Sequence, residues 1–382
     1  MKYIQSYLAI ILFVFVSCTG TAGTKKTEAS TMRQVLNGKI LIGCAVNVNQ
    51  TNGEDSVGSA IIAAQYNSIT PENCMKSEVI HPEENRYDFI ASDAYVDYGM
   101  NHGMFIIGHC LVWHSQLAPW FCVDKDGKNV SPEVLKQRLK THIETIVGRY
   151  KGRIKGWDVV NEAFNDDGTY RQSKFYQILG EEFIPLAFQY AHEADPDAEL
   201  YYNDYSMVGA QKRDSVISMV RKLKARDIRI DGIGMQMHST MEDPNLSGVE
   251  KSIEAFASTG CKVMITEFDM SVLPNPFAGT NASVANRFAY TEKTDPFSKG
   301  LPDSVSTAWN KRMNDFFLLF LKHADVISRV TMWGLADSDS WRNDWPIRGR
   351  TDYPLLFDRS HQSKAIVDSI ISEAKKVSVV KR

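Results

Sequence analysis

The sequence lacks an excess of basic residues, and it lacks an internal repeat. Its 43 Lys and Arg are outnumbered by 46 Asp and Glu, which gives a net charge of −3. Because proteins hold nucleic acid through clustered cationic side chains, nucleic acid is not an expected partner. Apolar residues make up 43% of the 382 positions, and this fraction excludes an intrinsically disordered chain.

Cysteine is sparse, with six residues in the chain and no C-x-x-C pair. The five that follow Cys18 are widely spaced, and their odd number fits neither a disulfide framework nor a zinc site. We therefore expect buried free thiols at Cys44, Cys74, Cys110, Cys122 and Cys261. Neither a metal ion nor another cofactor is predicted.

The N-terminal apolar run, Leu8 to Val16, has nine residues, which is too short to span a bilayer as a helix. With Lys2 before it, the run fits a secretory signal peptide over residues 1–17. The residues around Cys18 (VSCTG) resemble a bacterial lipobox, which would make Cys18 the lipidated first residue. A plain signal peptide with an incidental cysteine is the alternative. We expect an exported protein, with residues 18–37 as anchor and tether, held at the outer membrane or cell surface; the periplasm is the other location considered.

Apolar, strand-like runs recur along the chain, and segments of helical period separate them. In the clearest helical segment, residues 131–150, Ser131 can cap the helix and Pro132 suits its first turn. The strand-like runs lie near residues 41–47, 66–70, 104–112, 156–161, 199–203, 231–237, 262–268 and 329–334. This alternation predicts an α/β fold, a single (β/α)8 TIM barrel over residues 38–376.

Polar side chains stand at the carboxyl ends of nearly all these runs. In such a barrel the carboxyl ends meet on one face, where the following loops build the active site. The long segment 273–309, rich in Pro, Asn, Thr and Ser, is predicted to be a loop with partial helix on that face. The candidate site residues are Glu72, Asn73, Lys76, His109, Trp113, Gln116, Asn161, Glu162, Tyr202, Gln236, His238, Glu267, Asp269, Trp333 and Trp341.

Two carboxylates stand out because apolar strand residues precede them, Glu162 after Val159-Val160-Asn161 and Glu267 after Met264-Ile265-Thr266. Burial of a carboxylate costs several kcal/mol unless it is paired or protonated. Two such groups around one cleft are what glycosidic bond cleavage needs, since one protonates the leaving oxygen and the other attacks or activates water. Two glutamates in unrelated ion pairs are the alternative.

The segments WDVVNEAFND around Glu162 and ITEFD around Glu267 resemble the two signatures of glycoside hydrolase family 10, the endo-β-1,4-xylanases. ITPENCMK, GHCLVWHSQ, the QMH of the sixth run and the two tryptophans of the eighth resemble further blocks of that family, in the family's order. The resemblance covers about residue 38 to about 372, and it implies a retaining mechanism.

By this resemblance Glu162 is the acid/base, Glu267 the nucleophile and Asn161 the partner of the sugar's 2-hydroxyl. The resemblance further implies that Gln236 and His238 flank the nucleophile, with Asp269 orienting His238. Trp333 and Trp341 match the aromatic roof of the glycone subsites. The residues that match the holders of the glycone xylose units are Glu72, Asn73, Lys76, His109, Trp113 and Gln116. Tyr202 is a candidate for substrate binding from its place at the end of the fifth run.

The expected partners are xylan and xylo-oligosaccharides, together with a membrane reached through Cys18, and the chain is expected to be a monomer. Two other functions remain open at this stage. One is a related retaining β-1,4-glycanase that acts on cellulose or mixed-linkage glucan. The other is a surface glycan-binding lipoprotein without catalysis, for which loss of Glu162 or Glu267 would be the sign; both are present.

Overall fold

The computed structural model describes residues 30–276 and 286–378. Its eight strands form a closed barrel in chain order, each parallel to the next, and β8 pairs with β1. This confirms the predicted single (β/α)8 barrel. The strands are β1 Leu41–Val46, β2 Ser68–Pro71, β3 Phe105–Trp113, β4 Gly156–Asn161, β5 Glu199–Asp204, β6 Gly232–Thr240, β7 Lys262–Ser271 and β8 Ile327–Met332.

The helices of the described residues cover the outer face of the sheet. Because the strands are buried on both faces, they read in the sequence as nearly continuous apolar runs rather than alternating ones. The helices are α1 Met32–Leu36, α2 Val48–Asn52, α3 Ser56–Gln65, α4 Ser77–Ile80, α5 Ile90–Asn101, α6 Pro132–Arg149, α7 Lys174–Leu179, α8 Phe183–Ala194, α9 Ala210–Ala225, α10 Leu246–Ala257, α11 Asp303–Lys322 and α12 Ala365–Lys376.

Helix α6 forms as its sequence predicts. The Ser131 side chain accepts a hydrogen bond from Val134 N at 3.4 Å, and Pro132 occupies the first turn, where a missing N–H costs nothing. The apolar stripe packs into the core, with each of its members at most 1% exposed: Leu135, Leu139, Ile143, Ile146 and Tyr150.

The N-terminal boundary of the folded domain differs from the prediction. Residues 31–37, assigned to the tether, include helix α1, where Thr31 caps the helix and Met32 and Leu36 are fully buried. The Lys39 ammonium ties this end of the chain to α12 through Ala374 O at 2.6 Å. A helix of five residues is too short for its periodicity to be recognised, which is why the sequence interpretation placed the boundary at 38. The expected signal peptide, Cys18 and most of the tether lie outside the described residues.

The segment between β7 and β8 contains a short 3-10 turn at Glu292–Thr294, and helix α11 begins within it at Asp303, so the expected partial helix is present. Residues 277–285 lie outside the described part. The five cysteines after Cys18 are buried free thiols, as expected. Within the described ranges, no helix is both long and apolar enough to cross a bilayer.

Candidate active site

A cleft of about 1060 Å³ lies at the carboxyl ends of the strands. This volume is larger than that of a site for one small ligand, and it suits a ligand made of several linked units. The structure brings nearly all the predicted site residues to its lining, namely Glu72, Asn73, Lys76, His109, Trp113, Gln116, Asn161, Glu162, Gln236, His238, Glu267, Trp333 and Trp341.

Glu162 follows β4 and is surrounded by neutral hydrogen-bond donors. Trp113 Nε1 donates to Glu162 Oε2 at 2.9 Å, and Gln236 Nε2 donates to Oε1 at 3.1 Å. The carboxyl is only 8% exposed. These hydrogen bonds replace the water that a buried carboxyl has lost.

Glu267 lies near the end of β7 in surroundings of a different kind. Asn203 Nδ2 donates to Glu267 Oε1 at 2.7 Å, and His238 Nε2 lies 3.1 Å from Oε2. The side chain is 5% exposed. A protonated imidazole and an amide N–H both favour the ionised carboxylate over its neutral form. The two glutamates therefore differ in their partners, because Glu267 contacts an imidazole that can carry a positive charge and the side chains that donate to Glu162 are neutral.

Both glutamates have a left-handed backbone, with φ of 58° at Glu162 and 54° at Glu267. Non-glycine residues adopt this conformation at a cost of about 1–3 kcal/mol, and such residues concentrate at functional sites. The strand register shifts beside each of them, between Ile265 and Phe268 on β7 and between Asp158 and Val160 on β4. Such irregularities re-aim side chains, here into the cleft.

His238 forms an ion pair with Asp269 through the ring nitrogen that does not contact Glu267. His238 Nδ1 lies 3.1 Å from Asp269 Oδ2, which also accepts from Trp341 Nε1 at 2.8 Å. Burial acts to lower the pKa of His238, but the Asp269 and Glu267 carboxylates outweigh it and raise that pKa to about 9. Burial likewise acts to raise the pKa of Asp269, and Arg342 together with His238 lowers it to about 2. The pair is thus ionised at neutral pH.

A second polar cluster lies beyond β2 and β3. Lys76 Nζ donates to Asn73 Oδ1 at 3.0 Å and to Gln116 Oε1 at 2.7 Å, and it lies 4.9 Å from the centre of the Trp113 ring. Burial raises the pKa of the neighbouring Glu72, and the Lys76 charge opposes this only in part. These side chains offer both hydrogen-bond donors and hydrogen-bond acceptors, which is what sugar hydroxyls require.

Aromatic and histidine side chains also line the cleft. His109 Nδ1 lies 2.9 Å from Asp158 Oδ2, which orients the ring, and the edge of that ring meets Trp333 at a centroid distance of 5.4 Å. Trp341 stacks on Trp345 with the ring centroids 4.5 Å apart, and this contact holds the two indole planes nearly parallel at the rim. Flat apolar faces of this kind suit the faces of pyranose rings.

Tyr202 is not part of the cleft, and its assignment to substrate binding was wrong. The side chain is fully buried; its hydroxyl donates to Asp204 Oδ2 at 2.5 Å and accepts from Ala163 N at 3.0 Å. Successive side chains of a strand point to opposite faces, and in β5 the residue that faces the site is Asn203. Its register partner in β4 is Asn161, so the two asparagines are neighbours at the site. Alternation predicts that Tyr202 and Asn203 face opposite sides of the strand, but the register is needed to tell which of them faces the site.

Two arginines of the site were also missed in the sequence interpretation. Arg171 Nε donates to Glu162 O at 3.1 Å, and its Nη2 donates to Tyr205 Oη at 2.6 Å. Arg342 binds Asp269. Arg171 and Arg342 lie in loops after β4 and β8, whose conformation no periodic pattern encodes, so the sequence carried no signal for the two arginines.

A (β/α)8 barrel with two carboxylates across a cleft of sugar-compatible side chains is the arrangement of a glycoside hydrolase. Comparison with known proteins gives the family, because the profile described as "Glycosyl hydrolase family 10" matches residues 31–373. The chain belongs to this family.

Relatives and solved structures agree with this membership. The chain is 47% identical over 341 residues to endo-1,4-beta-xylanase A of Xylanibacter ruminicola, covering 89% of this chain and 92% of that protein. It is 39% identical to endo-1,4-beta-xylanase B of Paenibacillus barcinonensis, covering 85% and 92%. A GH10 endoxylanase from a sugarcane soil metagenome is 42% identical, with a TM-score of 0.87 over 90% of this chain and 99% of that one.

The charge of His238 leads to a testable pH dependence. Its pKa of about 9 in the folded protein exceeds the usual value of about 6.5, so its stabilisation is fully present below pH 6.5 and is lost as the pH rises towards 9. We expect His238→Asn to remove up to about 3 kcal/mol of this pH-dependent unfolding free energy. Denaturant unfolding at pH 6 to 9.5 measures it, with the exposed His192→Asn as control. Equal pH slopes in both variants would contradict the assignment.

Proposed function

We propose that the protein is a retaining endo-1,4-β-xylanase that hydrolyses internal bonds of xylan. The observation that carries this proposal is the pair Glu162 and Glu267, nearly buried in one cleft but surrounded by neutral donors and by a cationic donor respectively. The names of two relatives, both endo-1,4-beta-xylanases, support xylan as the substrate. Because both carboxylates are present and differently surrounded, a catalytically silent glycan-binding protein is disfavoured.

In the first half-reaction, Glu267 attacks the anomeric carbon while Glu162 gives its proton to the departing glycosidic oxygen. The carbon–oxygen bond to the leaving sugar breaks, and a covalent glycosyl–Glu267 ester remains. In the second half-reaction, Glu162 takes a proton from water, whose oxygen attacks the same carbon. The ester bond then breaks, its electron pair returns to Glu267, and the sugar is released with its β-configuration retained.

The remaining residues of the cleft bind the chain of sugars. Asn161, which lies next to Glu162, would contact the 2-hydroxyl of the reacting sugar, and Gln236 and His238 would orient the two carboxylates through their hydrogen bonds. Trp333 and Trp341 supply apolar faces above the sugar rings. The other xylose units would be bound by Glu72, Asn73, Lys76, His109, Trp113 and Gln116, all of which line the same cleft.

Trp333 and Trp341 are the basis for the proposed substrate class. Xylose lacks the hydroxymethyl group at C5 that glucose carries, so indoles packed against C5 admit xylose and crowd glucose. We expect a far higher kcat/KM on xylan than on carboxymethylcellulose. An assay of the reducing ends released from each polysaccharide measures the two rates. A higher rate on the cellulose derivative would favour the related β-1,4-glycanase instead.

The two carboxylates should respond differently to removal. Glu267→Ala should abolish formation of the glycosyl-enzyme whatever the leaving group. Glu162→Ala removes proton transfer, worth roughly 10²–10⁴ in rate, so an aryl xyloside with an acidic phenol should still form the intermediate. Added azide should then accelerate turnover of Glu162→Ala and give a β-xylosyl azide, whereas Glu267→Ala should give the α-product. Product NMR distinguishes the two, and exchanged anomers would reverse the assigned roles.

We further propose that the enzyme is exported and anchored by lipid on Cys18, and that it acts as a monomer. The support for the anchor is the sequence around Cys18, which follows a short apolar run. Cys18→Ala should release the protein from the membrane fraction without loss of xylanase activity, which cell fractionation measures. Unchanged membrane association in that variant would overturn the anchor, and light scattering of the soluble domain tests the monomer.

A further inference from the structure

Arg342 lies in the loop after β8, in the short 3-10 turn Trp341–Asn343. Its Nε donates to Asp269 Oδ1 at 2.8 Å, and its Nη2 lies 2.7 Å from the same oxygen. The Arg342 side chain is 12% exposed and that of Asp269 is fully buried. This is a desolvated ion pair, and removal of one partner would leave the other charge uncompensated.

The Asp269 carboxylate connects this arginine to the nucleophile. Asp269 Oδ1 accepts from the Arg342 guanidinium. Asp269 Oδ2 lies 3.1 Å from His238 Nδ1 and accepts from Trp341 Nε1 at 2.8 Å. The opposite nitrogen of the imidazole lies 3.1 Å from Glu267 Oε2. A continuous row of charges therefore runs from Arg342 through Asp269 and His238 to Glu267.

The charges of this row balance while Glu267 is ionised, because two cations face two anions. The charged groups acting on His238 are Glu267 and Asp269, both on β7. The rings of Trp341 and Trp333 lie near it, at centroid distances of 4.8 and 6.3 Å. Without Arg342 the row would carry a net negative charge whenever Glu267 is ionised.

We propose that Arg342 is a positioning residue that, through Asp269 and His238, favours the departure of Glu267 in the second half-reaction; this inference rests on the proposed function. In that step the bond between the anomeric carbon and Glu267 breaks, and its electron pair returns to the carboxylate. Water supplies the new oxygen on the carbon, and Glu162 takes the proton of that water. The electrostatic reason is that negative charge develops on Glu267, and a row with an additional cation stabilises it.

The test compares Arg342→Met with the native enzyme on an aryl β-xylobioside whose phenol leaves readily. With such a substrate kcat reports hydrolysis of the glycosyl-enzyme, and kcat/KM reports its formation. We expect kcat to fall about tenfold, the effect of one charge acting across several ångströms of protein, with a smaller change in kcat/KM. The acid limb of the kcat/KM profile should move to higher pH, because a less cationic row favours the protonated, inactive nucleophile.

Two matched variants complete the experiment. Arg342→Lys keeps the charge and should recover part of kcat, whereas Arg348→Met removes an exposed arginine of the same loop and should leave both constants unchanged. Equal losses in kcat and kcat/KM, a change in KM alone, or no change would overturn the proposal. If Arg342→Met does not fold, as judged by thermal unfolding, the comparison of Arg342→Gln with Arg342→Lys decides in the same way. A native enzyme inactive on all xylosides would instead overturn the proposed function.

Discussion

Glu162 and Glu267 are nearly buried carboxyl groups that share one cleft, and the rest of the site depends on supplying each of them with hydrogen bonds. A carboxylate removed from water costs several kcal/mol unless hydrogen bonds replace its hydration. The structure meets this requirement with neutral donors at Glu162, from Trp113 and Gln236, and with the His238 imidazolium and Asn203 at Glu267.

The barrel supports this arrangement at two levels. Closure of the parallel sheet brings the carboxyl ends of all strands to one rim, so residues distant in sequence become neighbours. Irregular register in β4 and β7 and left-handed backbone at both glutamates then aim the two carboxyls. The conformational strain is held by the surrounding hydrogen bonds, which include that of Arg171 Nε to the Glu162 carbonyl.

Much of the fold and most of the cleft could be predicted from the sequence, because both are encoded by local pattern. Strand-like runs and the capped stripe of α6 follow from apolar periodicity, and strand-end polar residues follow from the barrel. The choice of Tyr202 instead of Asn203 was wrong because the register between β4 and β5 decides which face of β5 points to the site, and alternation within β5 alone does not give that register. Arg171 and Arg342 could not be found, since loop conformation places them, and α1 is too short to show a period.

In the proposed mechanism, Glu267 bonds directly to the anomeric carbon while Glu162 serves as acid and then as base. The stereochemistry of the first-formed product tests this most directly. Proton NMR of the earliest minutes of xylo-oligosaccharide hydrolysis should show the β-anomer, before mutarotation produces the α-anomer. An α-anomer appearing first would mean that water attacks in a single displacement, and it would contradict the assignment of Glu267 as nucleophile.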